Sequence, residues 1–135
     1  MAGTITTKQP VRSEDYHYTE SEEISIVTAS TFQDKVTLTF TPPTIGYYLI
    51  QWTMEYSNNE NNRETEVRLY NSTATTEEGI EQSEFAGEDV DRYKDFCGFR
   101  RLNLTAQQYQ FILQFRRGTG GAASVRRARI FARRL

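Results

Sequence analysis

The two side chains best suited to covalent or metal chemistry, imidazole and thiol, occur once each, as His17 and Cys97. A hydrolase needs a nucleophile with an oriented base, and a metal centre needs clustered ligands. His17 lies in the polar stretch MAGTITTKQPVRSEDYHY. Cys97 stands between Phe96 and Gly98 in a strand-like run, where a thiol reads as a small core residue rather than a nucleophile. One cysteine excludes an intrachain disulfide and a cysteine-based zinc site. Gly118-Thr119-Gly120-Gly121 lies between strand-like runs and reads as a flexible turn of the hairpin kind, not a phosphate cradle. The 18 acids always allow some carboxylate pair, yet none is singled out for sugar hydrolysis. The acidic run Glu84–Asp91 lacks EF-hand spacing and reads as a solvated loop. The expectation is no enzyme, no cofactor and no metal.

The arginines form the one conspicuous pattern. They come in doublets, Arg100-Arg101, Arg116-Arg117, Arg126-Arg127 and Arg133-Arg134. On a strand each doublet sends one guanidinium to each face. Residues 1–91 carry five Lys/Arg and 17 Asp/Glu, whereas residues 92–135 carry 11 Lys/Arg and one acid, Asp95. Two readings of that split stand: charge balance within one subunit, or complementary patches between subunits. The net charge of −2 and the lack of lysine after Lys94 argue against a nucleic-acid surface. No apolar run is long enough to cross a bilayer and no apolar h-region opens the chain, which predicts neither membrane insertion nor secretion.

The elements that would position these groups are strands. Gly46–Tyr56, GYYLIQWTMEY, has period 2: Tyr48, Ile50, Trp52, Met54 and Tyr56 form an apolar face, and Gln51, Thr53 and Glu55 lie opposite. Tyr47 and Leu49, on that opposite side, are too apolar for plain solvent exposure, so the strand is expected at a subunit contact as well as in the core. Val36, Leu38 and Phe40 alternate inward with Thr37, Thr39 and Thr41. After the polar turn Ser57–Asn62, residues 63–71 turn Thr65, Val67 and Leu69 inward and Glu64, Glu66, Arg68 and Tyr70 outward, reading as a β-hairpin with the preceding strand. Residues 96–104 offer Phe96, Phe99, Leu102 and Leu104 to the core, with a slip at Gly98 that suggests a bulge. Residues 109–117 bury Tyr109, Phe111, Leu113 and Phe115, with Gln110, Ile112, Gln114 and Arg116 outside. The closing strand 123–134 buries Ala128, Ile130 and Ala132 and turns out Arg127, Arg129, Phe131 and Arg133. Adding 24–27 and an edge strand over 77–85 makes about eight antiparallel strands, the number of a jelly-roll β-sandwich, with the 72–95 connection as a Greek-key crossover. Residues 1–23 read as an extended N-terminal arm and 24–135 as the domain, with Tyr16, His17 and Tyr18 as arm contacts on a neighbouring subunit.

Several stretches resemble a known family. Phe32-Gln33-Asp34-Lys35-Val36-Thr37-Leu38-Thr39 resembles its early strands, and Gly46-Tyr47-Tyr48-Leu49-Ile50-Gln51-Trp52 its G-x-Y-x-I-x-W strand. Phe96-Cys97-Gly98-Phe99, Leu102-Asn103-Leu104-Thr105-Ala106 and Phe111–Arg116 resemble its second half, and Ala123–Ile130 its A-x-I-R-R-A-R closing strand. Cys97 replaces a serine and Gln107-Gln108 a glycine turn. The family is that of small jelly-roll proteins of tailed-phage virions, similar in general form to the trimeric C1q/TNF-type jelly roll. The resemblance spans about residues 24–135 and is structural rather than catalytic. It implies a virion structural protein, made in the host cytoplasm, that forms a homotrimer and decorates or cements the capsid through the major capsid protein or another virion protein. A tail or fibre-tip module that binds a host glycan through Tyr47, Tyr70 and Phe131 is the other reading. The expected subunit interface comprises Tyr47, Leu49, Glu64, Glu66, Arg68, Arg127, Arg129, Phe131 and Arg133, the Glu64–Arg68 group of one copy meeting the Arg127–Arg133 group of the next.

Overall fold

The computed structural model describes residues 15–135, so the part of the expected arm before Asp15 lies outside the described residues. Among the described residues, nine strands form two antiparallel sheets and there is no α-helix. The strands are β1 (Tyr16–Ser21), β2 (Ser25–Val27), β3 (Gln33–Phe40), β4 (Gly46–Asn58), β5 (Arg63–Asn71), β6 (Thr76–Phe85), β7 (Lys94–Leu104), β8 (Tyr109–Arg117) and β9 (Ala123–Arg134), with one 3₁₀ turn at Gly87–Asp89. One sheet runs β1-β9-β4-β7, with β2 also pairing β9; the other runs β3-β8-β5-β6.

The inward faces are those that alternation demands. Tyr48, Ile50, Trp52, Met54 and Tyr56 of β4 are buried, and Val36, Leu38, Phe40, Val67, Leu69, Phe111, Leu113, Phe115, Ala128, Ile130 and Ala132 surround them. At about 25 cal/mol per Å², burying each large side chain contributes roughly 2 kcal/mol before entropy is counted. This is why a period-2 pattern locates the core so directly.

Several expectations are corrected. β4 and β5 do not form a hairpin ladder: they lie in opposite sheets, and β5 pairs instead with β6 and β8. The turn between β4 and β5 crosses the sandwich, and Asn58 pins it. The buried Asn58 amide donates to Glu64 O, Thr65 Oγ1 and Gly120 O, tying that crossing to the neighbouring one at Gly118–Gly121. Gly118–Gly121 is likewise a crossing between sheets, from β8 to β9, not a hairpin turn. No bulge interrupts β7 at Gly98, since its register with β4 runs without a shift from Gly46↔Leu104 to Tyr56↔Lys94. Phe96, Gly98, Leu102 and Leu104 therefore turn toward the core, and Phe99 and Cys97 face out: Phe99 is 68% exposed and Cys97 is exposed. The irregularities fall elsewhere, between Asp34 and Val36 in β3, between Arg126 and Arg129 in β9 and beside Glu78 in β6. Ile112 and Gln114, expected outside, are buried. β8 is a central strand, and side chains of its neighbours cover its outer face, Arg68 Nε donating to Gln114 Oε1.

The arm expectation also changes. Tyr16–Ser21 pairs residue for residue with β9, from Arg133↔Tyr16 to Ala128↔Ser21. Those residues are a strand of the chain's own sheet, where an arm through residue 23 was expected.

Candidate interaction face

The two outward faces of the sandwich differ in how complete they are. On the four-stranded sheet the charges are joined to one another. Arg68 donates to Gln114 at 2.7 Å and pairs with Glu77 at 2.9 Å; Gln114 donates on to Asp34 at 2.7 Å. Arg116 pairs with Glu66 at 2.5 Å. The Phe32 ring lies between the two guanidinium groups, 3.9 Å from Arg68 Cζ and 4.2 Å from Arg116 Cζ. Arg68 also covers Tyr70 at 4.2 Å. This face holds Glu64, Glu66 and Arg68 of the expected interface, and Glu66 and Arg68 already have partners within the chain.

The outer face of the five-stranded sheet holds the rest: Tyr47, Leu49, Arg127, Arg129, Phe131 and Arg133. Register places Tyr18, Phe131, Gln51 and Phe99 in one row across four strands, and Tyr16, Arg133, Leu49 and Arg101 in the next. Phe131 has Tyr18 at 4.9 Å and Tyr16 at 6.3 Å between ring centroids. Tyr47 lies under Arg101 at 3.8 Å. His17 faces the other way, stacked on Phe40 at 4.5 Å. The three aromatic residues assigned to an arm thus contact β9 and the core of their own chain, and Tyr16 and Tyr18 keep about two fifths of their surface open.

One end of this face is self-neutralised. Arg126 and Arg127 pair with Glu55 at 2.7 and 3.4 Å, and Arg129 pairs with Glu22 at 2.5 Å and Glu20 at 3.8 Å. Burial pulls the Glu55 carboxyl upward, but Arg126 and Arg127 outweigh it and hold the group below the usual carboxylate range. The left-handed backbone of Arg127 (φ 53°) marks the β9 irregularity that turns two adjacent arginines toward one carboxylate. A recess of about 300 Å³ lies here, with Cys97, Glu55, Arg127 and Arg129 on its walls. At the other end Arg101 and Arg133 are exposed and have no carboxylate partner among the described residues.

Sequence reading therefore turned the nine expected interface residues outward but merged two faces into one interface, and it placed Phe99 and Cys97 inside and Ile112 and Gln114 outside. It missed Phe99, Cys97 and Arg101. Part of their signal was available: an unbroken alternation carried through Gly98 turns all three outward, and the pairing with β4 sets Cys97 opposite Thr53, Phe99 opposite Gln51 and Arg101 opposite Leu49.

No family model and no curated protein matches the sequence. Solved structures do resemble the fold. Eiger TNF from S. frugiperda matches with a TM-score of 0.54 at 14% identity, over 89% of this chain and 91% of that one. PRD1 vertex protein P5 matches with a TM-score of 0.54 at 12% identity, over 94% and 99%. A chain of the infectious bursal disease virus Gt strain matches with a TM-score of 0.60 at 7% identity, over 88% of this chain but 33% of that one. The fold is a jelly roll. Within this jelly roll, β1 and β2 share one edge of β9, and the connections from β2 onward cross between the sheets except at the β5–β6 hairpin. Such crossings bring β4 and β9, distant in sequence, into the middle of the face just described.

Proposed function

We propose that this jelly roll is a non-enzymatic structural protein of a tailed-phage particle, a homotrimer that decorates and cements the capsid and binds the major capsid protein or a neighbouring virion protein. The observation that carries the reading is the contrast between the two outer faces. The four-stranded sheet is closed by its own hydrogen bonds and ion pairs. The five-stranded sheet presents Tyr16, Tyr18, Tyr47, Leu49, Phe99 and Phe131 with Arg101 and Arg133, the aromatic-and-arginine composition favoured at protein contacts. A second copy of this chain is the occupant proposed for that face. The similarity to PRD1 vertex protein P5 and to the bursal disease virus chain lends support through fold alone. A glycan-binding module is less favoured, since the Tyr47 ring is stacked under Arg101, Tyr70 under Arg68, and Phe131 against Tyr18.

Light scattering coupled to size exclusion should give a mass of three chains, and co-sedimentation should show binding to capsids lacking this protein. A stable monomer that also fails to bind capsids would sink the proposal.

A further inference from the structure

The five-stranded face is assigned to a second copy and the four-stranded face is closed by its own bonds. The two ends of the sandwich remain, and they differ in charge. At one end lie connections 28–32, 59–62, 86–93 and 118–122, which carry Glu60, Glu88, Asp89 and Asp91 against one base, Arg92. At the other end lie connections 41–45, 72–75 and 105–108, with the sequences TPPTI, STAT and TAQQ. They hold no Asp, Glu, Lys, Arg or His, in a chain of which 25% of the residues are charged. All of them except Pro42 and Ser72 are exposed, Ile45 included. Leu135, whose N–H donates to Tyr47 O, is exposed at the same end.

Hydrogen bonds fix these uncharged connections in place. Thr73 Oγ1 accepts from Gln110 N at 3.1 Å and donates to Gln108 O at 3.3 Å, and Ser72 N donates to Gln110 O at 3.0 Å. Tyr109 Oη accepts from Thr105 N at 3.1 Å and from Gln107 Nε2 at 3.3 Å. Arg134, at the end of β9, is folded under the 41–45 connection and donates to Thr44 O at 3.2 Å and Ile45 O at 3.0 Å. Gly46 makes room for it, since a Cβ there would meet the guanidinium. A surface already fixed in this way loses little freedom on binding. The cores of protein contacts are depleted of charge, and an unpaired charge is costly to bury. Both considerations favour this end over the acidic one as a contact.

We infer that the uncharged end, formed by connections 41–45, 72–75 and 105–108, is the surface that attaches to the capsid, against a patch of capsid protein that is itself poor in charge. Threonine hydroxyls, glutamine amides and loop carbonyls supply the hydrogen bonds, and Ile45 and Leu135 supply apolar area. The contact forms no ion pair, so salt leaves it intact. It also leaves the five-stranded face free, so that attachment and self-association do not compete. The inference rests on the capsid-binding reading above and adds the surface of this chain that makes the contact.

Placing charge at one end or the other tests it, by co-sedimentation of the full chain with capsids that lack this protein. Ala74→Glu/Ala106→Glu puts two carboxylates on the uncharged end, and Ser30→Glu/Ala86→Glu puts the same two on the opposite end. The first pair is expected to weaken capsid binding about tenfold or more, with the mass by light scattering unchanged. The second pair is expected to bind as the unaltered chain does, and the unaltered chain to bind equally at low and high salt. If the first pair binds normally, if the second pair weakens binding as much, or if high salt releases the unaltered chain while its mass holds, the inference is overturned and the capsid-binding reading stands. If the unaltered chain fails to bind capsids at all, reading and inference fall together. Should Ala74→Glu/Ala106→Glu fail to fold by circular dichroism, Thr41→Glu/Gln108→Glu takes its place under the same criteria.

Discussion

The Trp52 indole fills the space that a side chain at Gly98 would need: a Cβ built on Gly98 falls 2.6 Å from Trp52 Cζ2. Gly79, on the other sheet, backs onto the same ring atom. Trp52 is thereby wedged between β6 and β7, the edge strands of the two sheets, and closes the seam between them. Its indole Nε1–H is buried and has no hydrogen-bond partner among the described residues, where the ring is held by packing. Beside it the irregularity in β6 turns the buried Glu78 toward Arg100 of β7, 3.7 Å away, and toward Asn71 and Thr76.

Gly98→Ala and Gly79→Ala are each expected to destabilise the fold by about 1–3 kcal/mol through overpacking against a rigid ring. Denaturant midpoints read by the fluorescence of the single tryptophan measure this. Unchanged midpoints would mean that the seam has room to spare.

Tyr56 supplies the second prediction. Its ring is fully buried on β4, its hydroxyl donates to Glu81 Oε2 on β6, and Ser83 Oγ lies 2.7 Å away. Burial first, and then the Glu81 carboxylate, push the phenol above its ordinary value of 10.0. The unfolded tyrosine ionises first, so this contribution is fully present below about pH 10 and is lost as pH rises toward the folded value. Tyr56→Phe should cost about 1 kcal/mol at neutral pH and flatten the fall in stability above about pH 10. Parallel stability–pH profiles for the two proteins in that range would contradict the assignment.

Glu55 behaves oppositely with pH. Held below the usual carboxylate range despite the upward pull of burial, it contributes stability that is present above its unfolded value and lost as pH falls through the folded one. The side chain is half-buried with an open edge to solvent, and screening there keeps the contribution below about 1 kcal/mol. Glu55→Gln should be slightly less stable at pH 7, and its melting curve should converge with that of the unaltered chain in acid. A constant offset down to pH 3 would show that the loss is not electrostatic.

Phe32 anchors the Ser/Thr-rich connector between β2 and β3 by lying between Arg68 and Arg116. Phe32→Ala should cost about 1 kcal/mol or more, and Phe32→Leu should recover only the apolar part. Proteolysis should then favour cleavage within residues 28–32. Equal stability of the Leu variant and the unaltered chain would remove the cation–π share of the argument.

Inward and outward sides were legible for β3, β4, β5 and β9 because burial is largely a property of each residue in turn. Val36, Leu38, Phe40 and the even-numbered residues of β4 lose water wherever their strand pairs, so period-2 alternation carries that information by itself. The sequence likewise determined the all-β class, the place of the crossing turns and the surplus of arginine late in the chain. Pairing is a relation between two segments, and alternation says nothing of it. β4 and β5 are adjacent in sequence with matched apolar faces, a pattern that serves equally well for two strands side by side and for two strands facing across a core. Only the tertiary structure decided for the second, and with it the placement of Cys97, Phe99 and Arg101 beside β4 and the capture of Glu66, Arg68 and Arg129 by partners in their own chain. Gly98 shows the physical reason most directly. Its lack of a side chain looks like a break in the strand until Trp52, 46 residues earlier in number, is seen to occupy the space.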